Sequence, residues 1–192
     1  MARVRAAVMP LLAVLAVPAP AAATGALTVY AGRFSADPWE DFFLDPGGVE
    51  FADAWLLAVA PSWRAARPWP RLSLEVEGQL ARYVGDQRNW EVNALVAARY
   101  RLTGGGAPVR SSLAFGLGPS WASRRPVLEA EGDPAGKSYR LMTYWYAEAA
   151  AAPRAWGPWR MVLRLHHRSG AFGLVADHGG SNVPTLGVRR RF

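Results

Sequence analysis

The sequence predicts an all-β protein, an eight-stranded antiparallel transmembrane β-barrel, on three observations. Apolar residues make up 51% of the 192 residues, yet the mean hydropathy is close to zero. That mixture suits strands that alternate between lipid and a polar interior. Much of the chain alternates apolar and polar residues with period two, the signature of a half-buried strand. The one long apolar run lies at the N-terminus and falls short of the roughly 20 residues that a spanning helix needs. A chain of this kind crosses a membrane as strands, closed so that every backbone group is paired.

Taken in order, the chain opens MARVRAAVMPLLAVLAVPAPAAATG. Arg3 and Arg5 give a basic start, Ala6 to Val17 an apolar stretch, and Ala21, Ala22 and Ala23 a small-residue cleavage site. Residues 1–23 therefore read as a signal peptide and 24–192 as the outer-membrane β-barrel. The sequence contains no cysteine, so an exported chain must be held together by its hydrogen-bonded ladder.

Eight strands are expected at about 26–34, 49–63, 70–84, 88–102, 109–122, 138–152, 158–170 and 182–192. The pattern is clearest in RLSLEVEGQLARY, where Leu72, Leu74, Val76, Gly78 and Leu80 share a face opposite Ser73, Glu75, Glu77 and Gln79. NWEVNALVAARYRL repeats it. An even strand count fits a bacterial barrel, and eight is the smallest common size. With both termini in the periplasm, RAARPW, TGGGAP and PRAWG are the short periplasmic turns. Ser35 to Gly48, Ser123 to Lys137 and Ala171 to Ser181 are long outer loops, with a tight outer turn at Gly85–Gln87. Short turns inside and longer loops outside are the outer-membrane arrangement.

Aromatic residues are expected at the two membrane interfaces, where a ring can be half wet. Trp63, Trp69, Tyr100, Trp156 and Trp159 are assigned to the periplasmic rim, and Tyr83, Trp90 and Trp121 to the outer rim. Trp55 and Trp145 do not fit this scheme. The last segment, TLGVRRRF, sets Leu186, Val188, Arg190 and Phe192 on the lipid face. A terminal aromatic after alternating apolar residues resembles the C-terminal signal read by barrel assembly machinery. Arg190 departs from that pattern and would snorkel at the rim. A soluble lipocalin-like barrel, apolar inside, is the rival fold. Here Glu75, Glu77, Gln79, Arg99, Arg101, Glu148, Arg160 and Arg164 would satisfy one another inside a small barrel, which argues against an open pore.

The net charge is +7, or +5 without Arg3 and Arg5. For an exported chain this points to anionic lipid head groups and not to nucleic acid. The three histidines, His166, His167 and His178, lie in the last quarter. No metal or other cofactor is expected, since His178 and Asp177 are the only candidate ligands free to converge on one loop. In LRLHHRSGAFG, alternation directs Trp159, Met161, Leu163, Leu165, His167 and Ser169 outward, and Arg164, His166 and Arg168 inward. Residues two apart on a strand are about 6.5–7 Å apart at the backbone. A neutral imidazole so placed can take a serine proton and make the hydroxyl a nucleophile.

This H-x-S element on the penultimate strand resembles the lipid A 3-O-deacylase family of PagL-like outer-membrane acyl hydrolases. The resemblance covers size, strand count and the region from Arg164 to Phe192. It implies an eight-stranded barrel with a Ser-His-Glu triad on its outer surface, hydrolysing an ester-linked acyl chain of lipid A. On that basis His167 is the general base and Ser169 the nucleophile. Two positions depart from the family pattern. Gly170 stands where the family has an asparagine in its oxyanion site, leaving only a backbone amide to donate. The acid expected at the start of the last strand is absent from HGGSNVP, so the group orienting the imidazole is Asn182 or Asp177.

Arg124, Arg125, Lys137 and Arg168 lie near the expected outer rim, where forked guanidinium contacts could recruit lipid A phosphates. Glu129, Glu131 and Asp133 in the same loop would offset part of that field. The glycines at 104–106, and Gly116 and Gly118, are not phosphate cradles, because no helix follows them. Two functions remain open: a serine esterase acting on lipopolysaccharide in the outer membrane of a Gram-negative bacterium, or a non-enzymatic barrel with a structural or ligand-binding role.

Overall fold

The computed structural model describes residues 25–171, 173–177 and 179–192. The predicted signal peptide lies outside them, as does His178. Eight antiparallel strands close into a barrel in sequence order, each pairing with its neighbours and the last with the first. They are β1 (Gly25–Arg33), β2 (Ala54–Trp69), β3 (Leu72–Gly85), β4 (Trp90–Arg101), β5 (Val109–Ala122), β6 (Leu141–Pro153), β7 (Trp159–Ser169) and β8 (Gly180–Arg191). Closure runs from Ala26↔Arg191 to Gly32↔Thr185. It leaves no unpaired edge, which lets strands sit in hydrocarbon.

One end of the barrel carries the short turns at 70–71, 102–108 and 154–158. The other carries the connections at 34–53, 86–89, 123–140 and 170–179, with two short helices, α1 (Asp41–Leu44) and α2 (Val127–Glu131), that the sequence pattern did not signal. The main correction is to β2. It begins at Ala54 and runs through RAARPW to Trp69, where a turn was expected. Two register shifts, between Arg64 and Ala66 and between Ala66 and Trp69, absorb the proline-bearing stretch as bulges. The later start sets Trp55 near the loop end, half exposed, which resolves its apparent misfit.

Side-chain direction follows the alternation. Val96, Leu113, Phe115, Leu117, Leu163 and Leu186 face outward and are well exposed, Leu186 by 61%. Charged and polar side chains fill most of the lumen, beside an apolar cluster that includes Phe34, Leu56, Tyr83 and Val183, and the large apolar residues cover the outside, so the soluble barrel is excluded. Arg164 is fully buried at the centre. Its guanidinium donates to Glu77 at 2.7 and 3.1 Å and to Glu148 at 2.6 and 2.9 Å, and lies 3.7 Å from the centroid of the Tyr146 ring. Arg99 joins Glu148 to Glu75, and Arg189 also bonds Glu75. On the loop side of Arg164, Gln79 bonds Tyr30 and Tyr144, and Asn93 bonds Gln79 and Glu91. These layers fill the lumen with charged and hydrogen-bonded side chains and leave no open pore through its centre.

Trp63, Trp69, Tyr100 and Trp156 are exposed toward the turn end, and Trp90 and Trp121 toward the loop end. Arg190 packs over Trp159 at 5.8 Å. Tyr83 does not belong to the rim. It has the parity of Glu75, Glu77 and Gln79, is completely buried, and packs edge-on to Phe34.

Candidate active site

Strand β7 carries the site between β6 and β8. The register sets Trp145, His167 and Asn182 in one row across the three strands, and Thr143, Ser169 and Gly180 in the next. Both rows lie at the loop end on the outward face.

The His167 Nδ1–H donates to Asn182 Oδ1 at 2.7 Å. The Asn182 amide group donates in turn to the Asp37 carbonyl at 2.7 Å. An amide can accept from the imidazole and donate to that carbonyl together, which an ionised carboxylate cannot. The tether fixes which way the carboxamide faces, hence the tautomer, leaving His167 Nε2 as the basic nitrogen. Asn182 is itself held by backbone bonds to Ser35 in both directions. Of the two candidate orienters, Asn182 is the one in contact. Asp177 is exposed on the β7–β8 connection and makes no hydrogen bond to His167 among the described residues.

The Trp145 ring stacks on the imidazole at 4.3 Å, with Trp39 edge-on to Trp145 at 5.9 Å and Phe115 stacked behind it at 5.8 Å. This aromatic cover reduces His167 to 9% exposure although it faces outward. Sequence reasoning missed Trp145, Trp39 and Asp37. The signal for Trp145 was its poor fit to an interfacial belt. Asp37 and Trp39 act from the β1–β2 connection, whose path no periodicity encodes.

Ser169 is partly exposed beside Gly180, whose lack of a side chain leaves one flank of the hydroxyl clear. No hydrogen bond joins Ser169 to His167 among the described residues. At Gly170 a Cβ would lie 1.7 Å from the Ala176 carbonyl oxygen, so the asparagine of the family pattern has no room. The Gly170 carbonyl accepts from the amides of Val175 and Ala176, and Ala171 beside it adopts φ 53°. The connection thus folds tightly over the position after the serine.

Arg168 corrects the expected phosphate contact. It points inward and is fully buried. It donates to Ser120 at 2.9 Å, to Glu129 at 2.5 Å, and to the Tyr139 and Arg140 carbonyls at 2.7 and 2.8 Å. Ser181 donates to the other Glu129 oxygen at 3.0 Å. This bond set clasps α2 into the barrel mouth. Burial pushes the Glu129 carboxyl up to about 7, against the opposing pull of Arg168 and Ser181. Glu129 is therefore not a surface charge offsetting the loop arginines. Asp133 also serves the loop, accepting from the amides of Ala135 and Gly179. Arg124, Arg125 and Lys137 are exposed at this end. His166 faces inward as expected, 3.1 Å from Glu91 and packed on Tyr144.

The closed eight-stranded barrel, apolar outside and charged inside, places the fold in the class of small outer-membrane barrels. Among solved structures it is similar to the outer membrane enzyme PagL, with a TM-score of 0.63 and 12% identity, over 87% of this chain and 99% of that one. It is also similar to Neisserial surface protein A, with a TM-score of 0.52 and 12% identity, over 88% and 97%. At these identities the likeness is one of fold. The sequence matches no protein-family model and no curated protein.

Proposed function

We propose that this chain is an outer-membrane serine esterase that removes an ester-linked acyl chain from lipid A. The supporting observation is the His167–Asn182–Asp37 relay on the outward face of β7, with Ser169 two residues further along. In this reading the export signal is removed, assembly machinery engages the C-terminal strand, and the loop end faces the outer leaflet. His167 Nε2 takes the Ser169 proton as the hydroxyl oxygen attacks the ester carbonyl. The proton passes to the leaving sugar oxygen, and an acyl-enzyme remains. Water, deprotonated by His167, then releases the fatty acid and restores the serine. The neutral Asn182 orients the imidazole, a role that amides fill in cysteine proteases of the papain type. Trp145, Trp39 and Phe115 offer an apolar wall for an acyl chain, and Arg124, Arg125 and Lys137 offer cations for lipid A phosphates.

Lipid A mass spectra from cells with and without the protein test this directly. Loss of one hydroxyacyl chain is expected with the native sequence. Ser169→Ala should lower the rate by roughly 10⁶-fold. An unchanged lipid A profile with the barrel folded and inserted would favour the second reading, a non-enzymatic barrel. The Trp145 ring covering His167 and the lack of a Ser169–His167 hydrogen bond support that reading.

A further inference from the structure

At the turn end, opposite the candidate site, the lumen opens into a cavity of about 190 Å³. Nine arginines line it, and Glu75 is the one carboxylate among the lining residues. Glu75 is already shared between Arg99 and Arg189. The guanidinium groups of Arg101, Arg110 and Arg160 reach only backbone carbonyls among the described residues. Arg64, Arg71 and Arg191 have no carboxylate partner among them. This differs from the centre of the barrel, where each arginine faces glutamates.

We propose that this vestibule binds a phosphate group, as inorganic phosphate or a phosphomonoester. Two unpartnered donors point to a ligand and not merely to solvated charge. Arg99 is 92% buried, yet its Nη2 has no hydrogen-bond partner among the described residues, and neither has the buried Nε of Arg110. Buried donors of this kind are normally satisfied. The floor adds Ser73, Ser111 and Ser112, and Arg99 Nη1 donates to the Ser112 hydroxyl at 3.3 Å. Planar forks converging from several strands match an oxyanion with several terminal oxygens. Low-dielectric walls concentrate their field. Since a water claims about 30 Å³ of liquid, the cavity has room for about six waters, or a phosphate with part of its shell. The Arg99–Glu148–Arg164 layer behind it closes the lumen, so the site is a dead end and not a channel. It stands apart from Ser169 and does not depend on the esterase reading.

The test is calorimetric titration of the folded barrel in detergent micelles with inorganic phosphate, at ionic strength held constant with sodium chloride. Saturable one-to-one binding is expected. Arg110→Gln with Arg191→Gln should weaken it tenfold or more, and Arg71→Gln, in the exposed turn, should weaken it if the double variant does not fold. Arg124→Gln with Arg125→Gln, at the opposite end, should leave it unchanged. Competition by micelles carrying phosphatidic acid, but not phosphatidylcholine, would assign a lipid head group as the source of the phosphate. Binding without such competition would assign the free anion. Absence of saturable binding, or equal losses at both ends, would overturn the site.

Discussion

Asn182 shows how one side chain can carry two duties that an acid cannot. Its oxygen accepts from His167 and its nitrogen donates to the Asp37 carbonyl. A carboxylate at 182 would still accept from the imidazole, but would set an oxygen against that carbonyl and release the β1–β2 connection. If the chain is the proposed esterase, Asn182→Asp is expected to lower its rate, where a simple missing-acid view predicts a gain. Asn182→Ala should lower it about 10- to 100-fold, since loss of orientation alone can cost about 100-fold. Rates on lipid A in micelles across pH, for the native chain and both variants, check this. A faster Asn182→Asp enzyme would show that the amide is a defect and not a device.

Among the elements, α2 is too short to be stable alone. It is held by Glu129, which reaches into the barrel mouth to Arg168 and Ser181. Because burial raises this carboxyl to about 7, the folded state binds its proton more tightly than the unfolded chain does between the ordinary carboxylate range and 7. The contribution to stability is then fully present at acid pH and falls as the pH rises to about 7. Thermal unfolding in micelles should give a higher Tm at pH 5 than at pH 8, and Glu129→Gln should remove the part of that difference due to this group. An unaltered pH profile in the variant would place the dependence elsewhere.

On the scale of the whole molecule, the charged lumen is both filler and lock. Arg164→Ala would leave Glu77 and Glu148 buried without their shared cation, and breaking a buried pair in this way costs about 3–5 kcal/mol. Urea unfolding of the native and variant barrels in micelles measures it. Arg164→Met combined with Glu77→Gln should recover much of the loss, because Glu148 keeps Arg99 as its partner and no charge is then stranded. The same network explains why the fold was legible from the sequence. On their own strands Glu75, Glu77, Arg99, Glu148 and Arg164 take the inward positions and most large apolar residues the outward ones, and the lumen joins the charged groups as that alternation requires. Tyr83 has the same inward position on β3, which decides its burial although its aromatic type suits a membrane interface.

The period of two along each strand, by itself, determined the closed barrel, the inward charges and the outward placement of His167 and Ser169. This is so because side-chain direction on a strand is a local property that every residue reports. The choice of Asn182 over Asp177, the stacking of Trp145 on His167, the burial of Arg168 and the gathering of nine arginines at one mouth were decided only by the tertiary structure. Each depends on strand register or loop path, which brings together residues far apart in the chain. Register is fixed by how eight strands close on one another, and no single segment carries that information.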